Sequence, residues 1–397
     1  MAAAAEAGKR GADVRSDCWV RFEPVGSGGL RVEMTSKVGP MYGDSIRALA
    51  EEVLGALGAR NGTLILEDMG ALPFVLAARI ETAVRRTLGP ETNPYLPEFA
   101  EHSRRKTRRT RFRRSRLYLP GDQPKLHLNA GLHKPDAVIL DLEDSVAPAE
   151  KDAARTLVRN ALRTVDYGPA ERMVRINQGD LGLEDLDEIA PHNVHVILIP
   201  KVESAETVRE VASRLDRIRE DHGLDDEIYL MPIVESGKGV VRAYEIASAA
   251  PTVIALTIGL EDYTADIGAP RTPEGRESFY ARSAIVNAAR AAGVLPIDSV
   301  FSDVADMGAL RRNALESKSL GFDGMGCIHP RQISVIHEAF APTAEELEKA
   351  RRIVAAFEEA EAKGSGVVSL GSKMIDPPVV KRALRVVRLA EGEGEGR

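Results

Sequence analysis

Between residues 116 and 330 the chain repeats one unit eight times, a short apolar run followed by a helical stretch. The runs are "RLYLP" (116–120), "AVILDLED" (137–144), "RMVRIN" (172–177), "VHVILIPK" (194–201), "IYLMPIVE" (228–235), "VIALTIGLED" (253–262), "LPIDSVF" (295–301) and "FDGMGCIHP" (322–330). Alternation of this kind points to a parallel sheet, whose strands are buried on both faces and so read as continuously apolar. Eight βα units predict an α/β fold of the closed TIM (β/α)8 type. A doubly wound open sheet is the rival. It loses ground because no GxGxxG follows the first run, and "ESGKG" after the fifth is too short for a phosphate loop.

In such a barrel the reactive groups stand at the C-terminal ends of the strands. Those ends carry Asp141, Glu143 and Asp144, then Arg175 and Asn177, Lys201 and Glu203, Glu235, Glu261 and Asp262, and Asp298. Each acid alone fits a helix cap or a solvated loop. Gathered at one mouth with one arginine and one lysine, they are expensive charges that stability alone does not explain. An all-oxygen donor set, with no histidine or cysteine cluster, favours a hard divalent ion such as Mg²⁺. Lys201 leaves a second chemistry open, a Schiff base with a keto acid.

The 397 residues exceed what one core usually serves, so a second, smaller unit is expected. Residues 17–34 alternate as strands around "VGSGG" and predict a hairpin. "GDSIRALAEEVLGALG" predicts a helix capped by Asp44 or Ser45 and ended by Gly58. "GTLILED" reads as a strand and "LPFVLAARIETAVRRTL" as a second helix. Residues 11–90 thus read as a small α+β domain with no histidine and no carboxylates paired over a cleft, the composition of a binding or carrier module. Residues 91–114 read as a linker. The run "RRKTRRTRFRRSR" (104–116) is expected to be solvated, with attraction of a phosphorylated cofactor or of RNA as alternatives. The barrel is placed at 115–345 and a helical arm at 346–397.

A 44% hydrophobic and 28% charged composition is globular, and the net charge of −7 gives no reason to expect nucleic acid. Cys18 and Cys327 cannot build a disulfide framework or a zinc site, which suits a reducing compartment. No run approaches the length of a membrane span, and "MAAAAEAGKR" lacks the apolar core of a signal peptide. A cytoplasmic protein with no membrane partner is expected.

Residues 11–88, through "GDSIRALAEEVL" and "EDMGALPFVLAARIETAV", resemble the acyl carrier (gamma) subunit of citrate lyase. The resemblance implies a dephospho-CoA-derived prosthetic group linked to a serine through a phosphodiester. That family has two small residues before the aspartate and modifies the first; here Arg15 and Ser16 stand there. Ser16 is therefore either the attachment site or an ordinary turn serine. Residues 112–390 resemble the citrate lyase beta chain and the malyl-, citramalyl- and citryl-thioester lyases (HpcH/HpaI aldolase-like), through "RSRLYLPGDQPK", "VRIN", "LIPKVESA", "GLEDY", "GCIHPRQI" and "GSKMIDPPVVKRA". This resemblance implies that Glu235 and Asp262 bind Mg²⁺, that Arg175 grips the substrate or forming enolate, and that Asp144 lies in the metal's outer shell. It further implies that Lys201 and Lys125 bind the thioester substrate, and that Asp376 enters a neighbour's site in a homotrimeric ring as the acid or base. A citrate lyase alpha-type subunit is an implied partner. The expected activity cleaves a 3-hydroxy-acyl thioester of citryl type to a 2-keto acid such as oxaloacetate and an acetyl thioester. The alternatives are a lyase on free malyl- or citramalyl-CoA with a non-carrying front domain, and a non-enzymatic subunit of a larger complex.

Overall fold

The computed structural model describes residues 3–89, 91–362, 368–370 and 373–391. The front domain is a four-stranded sheet of β1 (Ala5–Gly8), β2 (Cys18–Pro24), β3 (Leu30–Ser36) and β4 (Gly62–Asp68), with α1 (Gly39–Ala56) and α2 (Pro73–Leu88) packed on it. The strand order is β1-β2-β4-β3. The expected hairpin does not form: β2 and β3 are separated by β4, which pairs antiparallel to β2 and parallel to β3. The reason is the crossover. A parallel pair needs a long connection, which α1 supplies, and β4 buries Leu64 and Leu66 at the sheet's centre while β3 keeps Arg31 and Glu33 at the edge. The helix also begins at Gly39 rather than at Asp44 or Ser45, because Pro40 is suited to a first turn.

All eight expected runs form the barrel. They are β5 (Ser115–Pro120), β6 (Ala137–Asp141), β7 (Glu171–Arg175), β8 (Val196–Ile199), β9 (Tyr229–Val234), β10 (Ala255–Ile258), β11 (Leu295–Asp298) and β12 (Gly324–Cys327). Every pairing is parallel, and β12 closes onto β5. Inward residues such as Ile139, Met173, Leu198 and Ile297 fill the interior. The ladders stop earlier than the apolar runs do, so Asp144, Lys201 and Glu235 lie on the loops just beyond. Glu261 and Asp262 lie in the first turn of the helix Leu260–Asp266.

The basic run is solvated only in part: Arg104, Arg105, Lys106 and Arg108 are exposed, while the arginines from 109 onward bond to the barrel. Arg109 donates to the carbonyls of Pro251 and Val253, and Arg111 to those of Asp136 and Pro169. Arg113 meets Glu171 at 2.7 Å with both side chains buried. These partners lie where strands begin, so the run closes the barrel's N-terminal face, using the five-donor guanidinium fork to satisfy carbonyls.

The front domain is joined to the barrel through α2 and the helix Lys151–Thr164. Arg159 donates to both Glu81 oxygens, at 2.9 and 2.6 Å, and both side chains are buried. Nearby, Asn160 Nδ2 donates to the Phe74 carbonyl. Arg79 binds Asp17 through two bonds of 2.9 Å and donates to the Asp122 carbonyl, in the loop after β5. Beyond the barrel, the helices Ala344–Ala362 and Pro377–Glu391 share a small core of Ala350, Ile353, Val380 and Ala383. Arg385 of this arm pairs with Asp323 at the start of β12, the end away from the mouth. Among the described residues no helix is long and apolar enough to cross a membrane.

Candidate active site

The strand ends open into a cavity of about 430 Å³. Of the groups expected there, Asp141, Asp144, Arg175, Glu235, Glu261, Asp262 and Asp298 line it. Arg175 is held by the Asp141 carboxylate through bonds of 2.6 and 2.7 Å, and its Nη1 lies 2.9 Å from Glu143 and 3.6 Å from Asp144. Burial opposes charge on both Arg175 and Asp141. Their mutual hydrogen bonds outweigh it, raising Arg175 and holding Asp141 below the usual carboxylate range.

Glu235 is buried and accepts a hydrogen bond from the Lys201 amide at 3.2 Å. Burial, reinforced by the charge of Asp262, pushes its carboxyl up to about 8. Gly259 makes room for it: a Cβ there would stand 2.5 Å from Glu235 Oε1. Lys201 has φ of 50°, a left-handed backbone for a lysine. Its ammonium lies 3.2 Å from Glu143, 3.4 Å from Asp144 and 3.7 Å from Asp262. Burial works against that charge, yet the three carboxylates win and hold Lys201 above the ordinary lysine range. A Schiff-base lysine needs the opposite shift, so the geometry disfavours that chemistry.

Among the described residues no three His, Cys, Asp or Glu side chains form a metal cage. Two carboxylates are what Mg²⁺ takes when substrate and water oxygens fill its other positions. Asp262 adds to the cost of ionising the buried Glu235, and a dication would offset that cost; the donor set fits.

Other expected residues lie elsewhere. Asn177 is turned to Asp185 at 2.8 Å, and Glu203 pairs with Lys238 at 2.8 Å outside the cavity. Lys125 is exposed in the short helix Pro124–His127 and does not line the cavity. Asp376 does not line its own chain's cavity either; its carboxylate accepts from the Val379 amide at the start of the last helix. Ser16, half-buried with φ of 56°, sits in the front domain, its amide bonded to the Met69 carbonyl. Sequence reasoning missed the Asp141 clamp and two cavity residues of β5, Arg116 and Tyr118, over whose ring Arg175 lies at 5.4 Å. An arginine inside an apolar strand run is the signal that marks Arg116.

A TIM barrel with a carboxylate-rich mouth, one clamped arginine and a small carrier-like domain defines the class. A family model described as HpcH/HpaI aldolase/citrate lyase matches residues 114–330, and one described as malonate decarboxylase delta subunit (MdcD), an acyl-carrier model, matches residues 6–87. The citrate lyase subunit beta of Leuconostoc mesenteroides subsp. cremoris is 42% identical over 283 residues, 70% of this chain and 94% of that protein. The mitochondrial citramalyl-CoA lyase of Homo sapiens is 35% identical over 290 residues, 70% of this chain and 85% of that protein. The crystal structure of protein CitE from Mycobacterium tuberculosis in complex with magnesium, acetoacetate and coenzyme A is 33% identical, with a TM-score of 0.59, and covers 70% of this chain and 98% of its own. The chain belongs to the HpcH/HpaI aldolase/citrate lyase family and is an enzyme of the lyase class. The non-enzymatic alternative falls away.

Proposed function

We propose that this chain is a Mg²⁺-dependent carbon–carbon lyase that cleaves a citryl-type thioester to oxaloacetate and an acetyl thioester. The observation that carries the reading is the fixed Arg175 guanidinium sharing one cavity with the Glu235 and Asp262 carboxylates. Magnesium held by that pair would supply Lewis-acid polarisation of the keto-acid oxygens. Arg175, unable to lose its charge, offsets the negative charge of the departing thioester enolate. Asp141 keeps the guanidinium oriented, and Asp144 at the rim is placed for the outer shell. Asp376 is proposed to return the proton to carbon from a neighbouring subunit of a homotrimer. Cytoplasmic location belongs to the same proposal, and Cys18 and Cys327, both free and buried, suit a reducing compartment.

Whether the thioester rides on Ser16 or on free CoA divides the reading. Docking of the small domain beside the loop after β5 supports a carrier that serves its own barrel, with a citrate lyase alpha-type subunit as the further partner. Arg15 at the position where the carrier family is modified favours free malyl- or citramalyl-CoA instead. Intact mass of protein from its native source decides: a phosphodiester-linked adduct on Ser16 supports the carrier, and an unmodified, active chain removes it.

Two variants test the site. Gly259→Ala should drive a methyl into Glu235 and weaken Mg²⁺ binding by roughly tenfold or more, as displaced supporting contacts do at metal sites, measured by calorimetry. Unchanged affinity would remove Glu235 as a ligand. Asp376→Asn and Arg175→Ala should each be inactive, yet regain part of the turnover when mixed and re-associated, because some sites then combine an intact Arg175 with a donated Asp376. No recovery in verified mixed oligomers would exclude the shared site.

A further inference from the structure

Arg116 differs from the other charges around the cavity. It is 0% exposed, it lines the cavity, and it has no carboxylate partner among the described residues. Arg113, Arg159 and Arg282 are buried too and each faces one, as does the half-buried Arg175, while the buried Arg172, at the far end of β7, is met by the Asn193 and Arg105 carbonyls and by His195. The Arg116 Nη1 donates to the Thr257 hydroxyl at 3.1 Å and to the Met231 sulfur, a weak acceptor, at 3.0 Å. Its Nη2 reaches only the Asp298 carbonyl at 3.4 Å, and its Nε finds no partner among the described residues. The Asp298 carboxylate is not available to it, being held by Arg282 at 2.7 Å and by Ser317. Burial lowers Arg116 to about 10, which still leaves it charged at neutral pH.

A desolvated guanidinium without a counter-ion is expensive, and a fold keeps one where an anion arrives. The position suits an arriving ligand. Thr257 and Asp298 lie at the C-terminal ends of β10 and β11, so the guanidinium reaches up to the mouth although Arg116 is near the start of β5. Its register neighbour on β12 is Gly326, which also lines the cavity and adds no side chain. Arg175 is already committed to Asp141 and Glu143, so a second substrate carboxylate needs a second cation.

We propose that Arg116 binds the distal carboxylate of the substrate, the carboxymethyl group that distinguishes oxaloacetate and its citryl thioester from pyruvate and glyoxylate. The Nε–Nη2 edge offers two parallel donors, the pattern that grips a carboxylate bidentately. The inference rests on the lyase reading above and deepens it to a preference for keto diacids over keto monoacids.

Calorimetry on the full chain with Mg²⁺, titrating freshly dissolved oxaloacetate and pyruvate, tests it. Wild type should bind oxaloacetate at least about tenfold more tightly than pyruvate, the factor that a single charge-assisted hydrogen bond supplies. Arg116→Met should weaken oxaloacetate by about tenfold or more and leave pyruvate within about twofold, since only one of them brings the charge-assisted bonds. The ligand-free Arg116→Met protein should melt no lower than wild type, because an unpaired buried charge has gone. A merely structural arginine would instead lower the melting temperature and weaken both acids alike. Arg116→Lys, which keeps a charge but loses the fork, serves if the methionine variant does not fold, and should weaken oxaloacetate alone. Unchanged oxaloacetate affinity in either folded variant overturns the assignment. Wild type that binds neither acid in Mg²⁺ overturns the lyase reading itself.

Discussion

Asp262→Ala protein is expected to lose turnover by on the order of a thousandfold, since a Lewis-acid metal supplies several kcal/mol and each ~1.4 kcal/mol is tenfold. It should also lose Mg²⁺ binding, while melting close to wild type. The stability half follows from placement. The Asp262 side chain is 46% exposed in the first turn of the helix Leu260–Asp266, and its ionic partner, Lys201, keeps Glu143 and Asp144. Exposed substitutions of that kind cost little. Removing Asp262 also takes away the like charge that, after burial, does most to raise Glu235, so the remaining carboxyl should ionise more readily. Lost activity would then reflect a missing ligand rather than a damaged cavity. The check is keto-acid release with and without EDTA, beside a magnesium titration. Full turnover of Asp262→Ala in EDTA would end the metal reading.

The barrel was legible because burial on both faces forces an apolar run for each strand, and eight such runs admit few closures. The mouth followed from the strand ends: Arg175, Glu235 and Asp262 needed only the rule that these ends point one way. What local pattern could not show was which strands pair and which charges find partners. β2 and β3 look like a hairpin because their glycines encode a turn, while the order is set by the α1 crossover and by the apolar face of β4. The arginines of 104–116 look solvated because a charge run has no period. The partners of Arg109, Arg111 and Arg113, the carbonyls of Asp136, Pro169, Pro251 and Val253 and the Glu171 carboxylate, come from strand starts far along the chain. Lys125 and Asp376 were named by motif alone, and a motif does not carry the distance between a loop and a cavity.

The joint between the domains carries the second large effect. Glu81→Gln is expected to lower unfolding free energy by about 3–5 kcal/mol, the range for breaking a buried ion pair from one side. The neutral amide would leave Arg159 buried, with the Tyr95 carbonyl at 3.0 Å, Asn160 at 2.9 Å and Glu188 at 3.2 Å as its remaining partners. Replacing both residues, Glu81→Leu with Arg159→Leu, should cost less than the two single changes added together, because no unpaired charge stays behind. Trp19 is the chain's one tryptophan and lies buried in β2, so its fluorescence reports the front domain, while helical circular dichroism reports mainly the barrel. In wild type the two urea curves should coincide, since the Glu81–Arg159 and Asp17–Arg79 pairs and one continuous apolar cluster tie the domains into a cooperative unit. In Glu81→Gln the tryptophan curve should move to lower urea ahead of the barrel curve. Coincident, unshifted curves in that variant would mean that the pair does not hold the joint. Separate curves in wild type would mean a front domain that unfolds independently, and would weaken the case for a carrier that serves its own barrel from a fixed base.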